Sequence, residues 1–185
     1  MPDDLIEIYT DGSCHTQHCI GAWVAIIFIA GEKIILSGEE LNTTHNQMEL
    51  TAVIKSLQYL QQLNKKIISK ILSITIITDS QYVTGLQERE KKFAAKKFET
   101  KKGNAIRNVL LVKKMLLLTN SMPVKFVKIK AHQKKTVEIN YNIEADKLSR
   151  NIVRRAVSLK YFINNKTTPI PIAPPVTPAS ISNNS

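Results

Sequence analysis

The first 41 residues alternate between short apolar segments and turn-forming residues. The apolar segments span residues 5–10, 21–29 and 33–41, and a Gly31-Glu32 turn separates the last two. Segments of this length joined by short turns are typical of an antiparallel β-meander. We therefore predict three antiparallel strands at the start of the chain, the first of which ends at Asp11-Gly12.

The apolar residues then change to helical spacing. Between Asn46 and Leu63 they recur at intervals of three and four, so they share one face of a helix. These positions are Leu50, Val53, Ile54, Leu57 and Leu60. An isoleucine-rich segment at 71–78 then predicts a buried strand, and a short helix follows from Ser80.

The alternation of strands and helices continues further along the chain. We predict a helix at 109–118, a strand at 124–129 and a last helix that begins near Asn142 or Ile143. One face of the last helix is apolar, with Ala145, Leu148, Ile152, Ala156 and Leu159. This order of elements predicts an α/β fold. Its five-stranded mixed sheet is antiparallel in strands 1–3, gains parallel strands after them, and is flanked by helices.

Two segments fall outside this alternation. Residues 87–107 carry eight basic and three acidic residues, with Phe93 and Phe98 among the lysines. This basic segment is either a protrusion that binds nucleic acid or simply a solvated surface. Its aromatic residues either contact the nucleic acid with the lysines or pack the segment against the rest of the domain. Residues 164–185 are rich in Pro, Thr, Ser and Asn and cannot build a core, so we predict a disordered tail.

The net charge and the apolar stretches of the chain indicate which kinds of partner it binds. The chain has 185 residues and a net charge of +11, which favours a polyanion such as nucleic acid. The N-terminus lacks a basic segment followed by an apolar run, as a signal peptide would have. The longest apolar stretch, residues 20–30, is shorter than the about 20 residues that span a bilayer. We therefore expect a cytoplasmic protein with no membrane partner.

The segment 14–19 contains two cysteines and two histidines, which resembles a zinc-binding cluster. Structural zinc sites draw their ligand pairs from separated segments, and four ligands within one hexapeptide are sterically difficult. Cys14 and Cys19 also make no disulfide framework in a chain of this size. We expect neither a zinc site nor a disulfide there.

Four acidic residues sit in four separate short motifs. They are Asp11 in YTDGS, Glu49 in NQMEL, Asp79 in ITDSQYV and Asp146 in EADKLSR. Each lies at a predicted strand end or helix start, where an α/β sheet places its sites. Their alternative role is local, as turn residues or as acids favoured by a helix N-terminus. Converging carboxylates repel each other unless a cation neutralises them, so the set predicts a site for Mg²⁺ or Mn²⁺.

Five motifs in order carry a family resemblance: TDGS, TTHNQMEL, TDSQYV, KAH and EADKLSR. Over residues 5–160 the chain resembles type 1 ribonuclease H, the bacterial HI-type. The resemblance implies the ribonuclease H-like fold and an endonuclease that cleaves the RNA strand of an RNA–DNA hybrid. It also implies a two-metal mechanism with Mg²⁺, for which Mn²⁺ is a possible substitute, and products with 5′-phosphate and 3′-hydroxyl ends.

The resemblance also assigns roles to single residues. Asp11, Glu49, Asp79 and Asp146 match the metal-binding catalytic carboxylates, and His132 in KAH matches a catalytic loop histidine that transfers protons. Thr44 and Asn108 match positions that hold a DNA-strand phosphate. Gln17, His45 and Asn46 fall where the family contacts the RNA minor groove. The basic segment corresponds to a protrusion that grips the hybrid, which we expect to act through Lys91, Lys92, Lys96 and Lys97.

The chain departs from the family pattern in three places. Its first loop reads CHTQHCIGAW where the family is rich in Gly and Pro, and HNQ replaces the more usual NNR before Met48. The loop between His132 and Asp146 is longer than in many bacterial members. These differences affect the approach to the hybrid and the placement of His132.

Other functions stay open at this point. The chain is alternatively a hybrid-binding module without catalysis, a domain of a reverse-transcribing polyprotein, or a 3′–5′ exonuclease that uses four acids on a related fold. A Met1 just ahead of the first strand favours a free-standing protein. We expect a monomer with a catalytic domain at 1–163, a tail at 164–185 and no obligatory protein partner.

Overall fold

Five strands and five helices make up the described part of the chain. The computed structural model describes residues 5–63, 71–130 and 140–166. The strands are β1 (Leu5–His15), β2 (Ile20–Ile29), β3 (Glu32–Leu41), β4 (Ser73–Thr78) and β5 (Val124–Lys128). The helices are α1 (His45–Gln62), α2 (Gln81–Glu88), α3 (Glu90–Ala95), α4 (Val109–Asn120) and α5 (Tyr141–Lys166).

The strands form one mixed sheet in the order β3-β2-β1-β4-β5. Strands β1, β2 and β3 pair antiparallel, whereas β4 pairs parallel with β1 and β5 pairs parallel with β4. The predicted fold class and strand directions are therefore confirmed. The order puts β1 at the centre of the sheet, between the meander and the parallel strands.

Helices cover both faces of the sheet because alternate residues of a strand point to opposite faces. On one face Ile6 and Ile8 of β1 join a large core that includes Leu50 of α1 and Met115 of α4. On the other face Val24 and Ile26 of β2 pack with Ala145 of α5, and Leu148 and Ile152 extend this smaller cluster. None of the described helices is long and apolar enough to cross a membrane.

Strand β1 is longer than its sequence predicts. Its expected end at Asp11-Gly12 is wrong, since β1 stays paired with β2 through His15, which lies opposite Ile20. The antiparallel ladder to β2 satisfies the backbone of the polar residues, so their low strand propensity is overridden. Asp11 consequently lies within a central strand, with only 8% of its surface exposed.

Helix α5 begins at Tyr141, next to its predicted start, but it extends further than expected at its C-terminal end. It continues through residues 164–166, which we predicted as the start of the tail. Leu159, predicted on the buried face, is 60% exposed. The apolar spacing continues in the sequence, but α5 packs on the sheet through Ala145, Leu148 and Ile152 and has no comparable surface near Leu159.

Gly12 allows β1 to approach the backbone of α1 very closely. A Cβ atom at this position would lie 2.3 Å from the amide nitrogen of Glu49 and 2.5 Å from the carbonyl carbon of Met48. Both are backbone atoms and cannot rotate away. Glycine is therefore required where β1 and α1 meet, and this contact brings Asp11 and Glu49 into the same region.

We expect Gly12→Ala to destabilise the protein by about 2–3 kcal/mol, since the added methyl group forces two packed elements apart. The matched control is Gly85→Ala in α2, where the nearest atom is the far end of the Arg89 side chain at 3.3 Å. That change should be neutral or stabilising by up to about 1 kcal/mol, because alanine favours helix. Urea unfolding monitored by circular dichroism measures both, and equal stabilities would contradict the close contact.

Candidate active site

The four acidic residues singled out from the sequence line one cavity of about 440 Å³. Each comes from a different part of the fold: Asp11 from β1, Glu49 from α1, Asp79 from the position directly after β4, and Asp146 from α5. The remaining lining residues are His45, Asn46, Ser80, Gln81, Tyr82 and Arg150. The sheet order explains the meeting point, because β1 and β4 are parallel neighbours.

A local role at a helix N-terminus does not account for the two helical acids. Glu49 and Asp146 lie beyond the first turns of their helices; α1 has no acidic residue in its first turn, and in α5 that position is taken by Glu144. The helix dipole acts mainly within the first turn. Their place in the cavity is thus the feature that the two carboxylates share.

Asp11 is the most buried of the four, and its pKa is strongly raised. The pKa of Asp11 is raised to about 7, mainly by burial and to a smaller extent by the negative charges of Asp146 and Asp79. The hydroxyl of Ser149 opposes this effect by donating a hydrogen bond to Oδ2 of Asp11. Metal-free protein therefore carries Asp11 close to the midpoint of its titration at neutral pH.

Glu49 is held between two donors. Its carboxylate accepts a hydrogen bond from the hydroxyl of Ser80, and Nε2 of His45 lies 3.3 Å from its Oε1. The hydrogen bond to Glu49 raises the pKa of His45, burial opposes the rise, and the charges of Glu49, Asp11 and Asp79 add to it. The raised pKa favours the protonated, positively charged form of His45, and Arg150 is a second basic residue that lines the cavity.

Asp146 forms an ion pair within α5. Nε of Arg150, one helical turn further on, lies 2.7 Å from Oδ1 of Asp146. The hydroxyl of Ser149 also lies 3.0 Å from the carbonyl oxygen of Asp146. Arg150 is a cavity residue that our sequence analysis did not select.

Three residues that hold the carboxylates were missed from sequence. Ser80, Ser149 and Arg150 each stand within a motif already quoted, one to four positions after an acidic residue. Spacing of four in a helix places Arg150 beside Asp146, and that signal could have been used. Ser80 and Ser149 instead bond to acids from other elements, so only the fold reveals their partners.

The donor set fits a hard divalent cation. Carboxylate oxygens are the ligands that Mg²⁺ and Mn²⁺ prefer, and four of these groups line this one cavity. Within the described ranges no three Asp, Glu, His or Cys side chains are already arranged around a metal position. Asp11, Glu49 and Asp146 are each turned toward a neighbouring donor, which is the arrangement expected when their charge is balanced by the protein alone.

The predicted nucleic-acid contacts fall into two groups. His45 and Asn46 lie in the cavity beside the carboxylates. Outside it, Gln17 is exposed in the β1–β2 turn, and Thr44 caps α1 by accepting a hydrogen bond from the amide of Gln47. Asn108 precedes α4 in a left-handed conformation and donates to the hydroxyl of Tyr82, which lines the cavity.

The basic segment 87–107 is folded onto the body by its aromatic residues. Phe93 and Phe98 are stacked with ring centroids 6.2 Å apart and pack against the main core. Cations lie over both rings, Arg89 over Phe93 and Lys113 over Phe98. The packing role of the aromatics is thus the one observed. The segment exposes all four lysines selected from sequence, Lys91, Lys92, Lys96 and Lys97.

Two predicted features lie outside the described residues: His132, and the tail from residue 167 onward. The cysteines of segment 14–19 make separate contacts. Sγ of Cys14 lies 3.4 Å from the carbonyl oxygen of Thr43, and Sγ of Cys19 lies 3.4 Å from that of Thr16.

The pKa of Asp11 makes the stability of metal-free protein depend on pH. The folded state keeps a proton on Asp11 up to about pH 7, whereas the unfolded chain releases it near 3.8. Stability should therefore fall as pH rises through this window and level off above it. Asp11→Asn should remove this loss and raise the Tm in EDTA by several degrees at pH 8 but little at pH 4.

The control for this measurement is Glu88→Gln, which removes an exposed carboxylate outside the cavity. It should leave the pH profile of the Tm unchanged. A Tm of Asp11→Asn that is displaced equally at every pH would show that burial of Asp11 costs nothing in the metal-free state.

Comparison with known proteins identifies the fold and the family of this chain. The fold is similar to that of LC9-RNase H1, a type 1 RNase H with the type 2 active-site motif. That similarity has a TM-score of 0.66 at 22% sequence identity, over 83% of this chain and 74% of that one.

Curated ribonucleases H from bacteria are closer in sequence. The chain is 32% identical to the enzyme of Caldicellulosiruptor saccharolyticus over 151 residues, which cover 80% of this chain and 96% of the relative. It is 33% identical to the one from Wolbachia sp. subsp. Drosophila simulans over 154 residues, 83% of this chain and 98% of the relative. The family model of RNase H matches residues 3–154. The chain therefore belongs to the ribonuclease H family of nucleases.

Proposed function

We propose that this protein is an endoribonuclease that hydrolyses the RNA strand of RNA–DNA hybrids and leaves 5′-phosphate and 3′-hydroxyl ends. The observation that carries the proposal is the cavity in which Asp11, Glu49, Asp79 and Asp146 meet. Membership of the ribonuclease H family supports the substrate class. The net charge of +11 supports a polyanionic ligand.

In this proposal the four carboxylates hold two Mg²⁺ ions, which Mn²⁺ can replace. When bound, the cations supply an activated water nucleophile and stabilise the charge of the leaving 3′-oxygen. The protein's own residues keep the carboxylates in place. Ser149 orients Asp11, Ser80 orients Glu49, and Arg150 orients Asp146.

Two histidines have separate proposed roles. His45 donates to Glu49 and contributes positive charge where the negatively charged phosphodiester binds. His132 transfers a proton to or from the reacting groups, a step for which a histidine is suited near neutral pH. The role of His132 rests on the sequence resemblance alone.

Substrate binding combines contacts to the backbone with contacts to sugars. Exposed Lys91, Lys92, Lys96 and Lys97 bind phosphates without reading sequence. Thr44 and Asn108 hold a DNA-strand phosphate. Gln17, His45 and Asn46 present donors and acceptors to the minor groove, where the 2′-hydroxyls distinguish RNA from DNA.

The proposed catalytic domain comprises residues 1–163 together with the end of α5, and the tail is the segment that follows. A cytoplasmic monomer that needs no protein partner is the simplest form consistent with this activity. The length of the open reading frame distinguishes a free-standing enzyme from a polyprotein domain.

Cleavage of a labelled RNA–DNA hybrid tests the proposal. Duplex RNA and duplex DNA of the same sequence serve as comparison substrates, and each is assayed with Mg²⁺ and with EDTA. We expect cleavage of the hybrid alone, only with Mg²⁺, and fragments whose 3′ ends a polymerase can extend. Cleavage in EDTA, or of all three duplexes, would exclude the proposed activity, and binding without cleavage would indicate a hybrid-binding module.

We expect Asp79→Asn to lose hybrid cleavage while the fold and hybrid binding are retained, because the amide cannot supply the negative charge that the cations need. Glu88→Gln, which neutralises an exposed acid in α2, should cleave like wild type. Gel-resolved single-turnover assays measure both variants. A wild-type cleavage rate for Asp79→Asn would contradict the two-metal mechanism.

Replacing Lys91, Lys92, Lys96 and Lys97 together by Gln should weaken hybrid binding and leave kcat nearly unchanged. These side chains are exposed and lie outside the carboxylate cavity, so their loss removes uniform binding and raises KM. Each lost phosphate contact should reduce the slope of log K against log salt by somewhat less than about one.

The matched control replaces the same four lysines by Arg, which keeps the charge. That variant should retain the wild-type KM and salt slope. If the Gln variant also retains them, the lysines only solubilise the surface.

A further inference from the structure

The turn between β1 and β2, residues 16–19, is contacted by the distal part of α5. Nε2 of His18 and the hydroxyl of Tyr161 are 2.9 Å apart, and the two rings meet edge to face with centroids 5.0 Å apart. Tyr161 lies beyond residue 154, where the match to the ribonuclease H family ends. The contact thus joins the first loop, whose sequence differs from the family pattern, to a part of α5 that the family match does not include.

The turn is attached on its other side to the segment that precedes α1. The amide of Thr43 donates to the carbonyl oxygen of Cys19 at 3.1 Å, and the thiol of Cys14 donates to the carbonyl oxygen of Thr43. His15, the last residue of β1, lies against His18 with ring centroids 4.7 Å apart. His18 is therefore the side chain that connects the end of β1 with Tyr161.

The sequence of the turn does not fix its conformation locally. Residues 13–20 contain neither Gly nor Pro, the residues that usually preset a turn. Cys19 adopts a left-handed conformation with φ of 51°, which is strained for a residue with a side chain. Contacts from outside the turn, together with the contact of the Cys19 thiol with the carbonyl oxygen of Thr16, help to maintain this conformation.

The turn also carries Gln17, which is exposed and is proposed to contact the RNA minor groove. Tyr161 is 54% exposed, so its ring adds little to the apolar core. Its interaction with His18 is accordingly a constraint on the turn more than a contribution to the stability of the domain.

We infer that Tyr161, acting through His18, is a positioning residue that holds the β1–β2 turn so that Gln17 binds the hybrid. The inference rests on the proposed function. A turn released from Tyr161 must be ordered when the hybrid binds, and this entropy cost lowers affinity. The chemical step depends on the carboxylates and is unaffected.

Steady-state kinetics of Tyr161→Ala on a hybrid substrate test the inference. We expect KM to rise about 2–10-fold, the range for one lost hydrogen bond, with kcat within about twofold of wild type. Tyr161→Phe keeps the ring and loses the hydroxyl, so its KM should lie between those of the wild type and Tyr161→Ala. Leu159→Ala, which shortens an exposed side chain two residues earlier in α5, is the control and should match wild type.

A double-mutant cycle separates positioning from a general effect on the fold. In a Gln17→Ala background, Tyr161→Ala should raise KM no further, because the side chain that the turn presents is already absent. A wild-type KM for Tyr161→Ala, a fall in kcat alone, or an additive rise in the double variant would each overturn the inference.

Hybrid binding by Asp79→Asn protein, measured by fluorescence anisotropy, distinguishes failure of the positioning role of Tyr161 from failure of the proposed function. The Kd should show the same dependence on Tyr161 without any cleavage. If the wild type binds the hybrid but does not cut it, the proposed activity fails, and a weaker Kd for Tyr161→Ala still supports the positioning role.

Discussion

Four carboxylates share one cavity of this nuclease, and holding them there costs free energy because they are partly removed from water and close to one another. The rest of the fold must offset this cost. The free energy to do so comes from the two apolar clusters on either side of the sheet. Burial of one large apolar side chain contributes about 1.5–3 kcal/mol, so a few such residues offset an acid held near its titration midpoint. Asp11, on the central strand, has the largest share of this cost because it is the most buried of the four.

The same constraint explains the residues around the acids. Ser149, Ser80 and Arg150 each donate to a different carboxylate, so the protein offsets part of the negative charge and also fixes where the oxygens point. Gly12 serves this arrangement from the backbone side, since it lets β1 and α1 approach closely enough for their acids to share one cavity.

Periodicity and motif order were sufficient to predict the sheet and its strand directions, because both follow from local patterns and connection lengths. The length of β1 was not predictable in this way. Asp11, Gly12 and Ser13 have turn-like composition, and only their pairing with β2 keeps them in a strand. The predicted burial of Leu159 was wrong for the converse reason. Its spacing in the sequence fits a buried helix face, but its burial depends on whether the sheet extends far enough to lie opposite this part of α5.

Two of the features proposed to serve substrate affinity, the basic segment and the β1–β2 turn, lie outside the carboxylate cavity and depend on different contacts. Phe93 and Phe98 pack the basic segment onto the core, which lets its lysines face solvent without unfolding the segment. Tyr161 acts on the β1–β2 turn in a comparable way, through a contact that the core does not require. Because these anchors share no side chain with the carboxylates, the proposed function allows affinity for the hybrid to change while the cavity stays intact. On this proposal the first loop can depart from the family pattern in a chain that keeps all four acidic motifs.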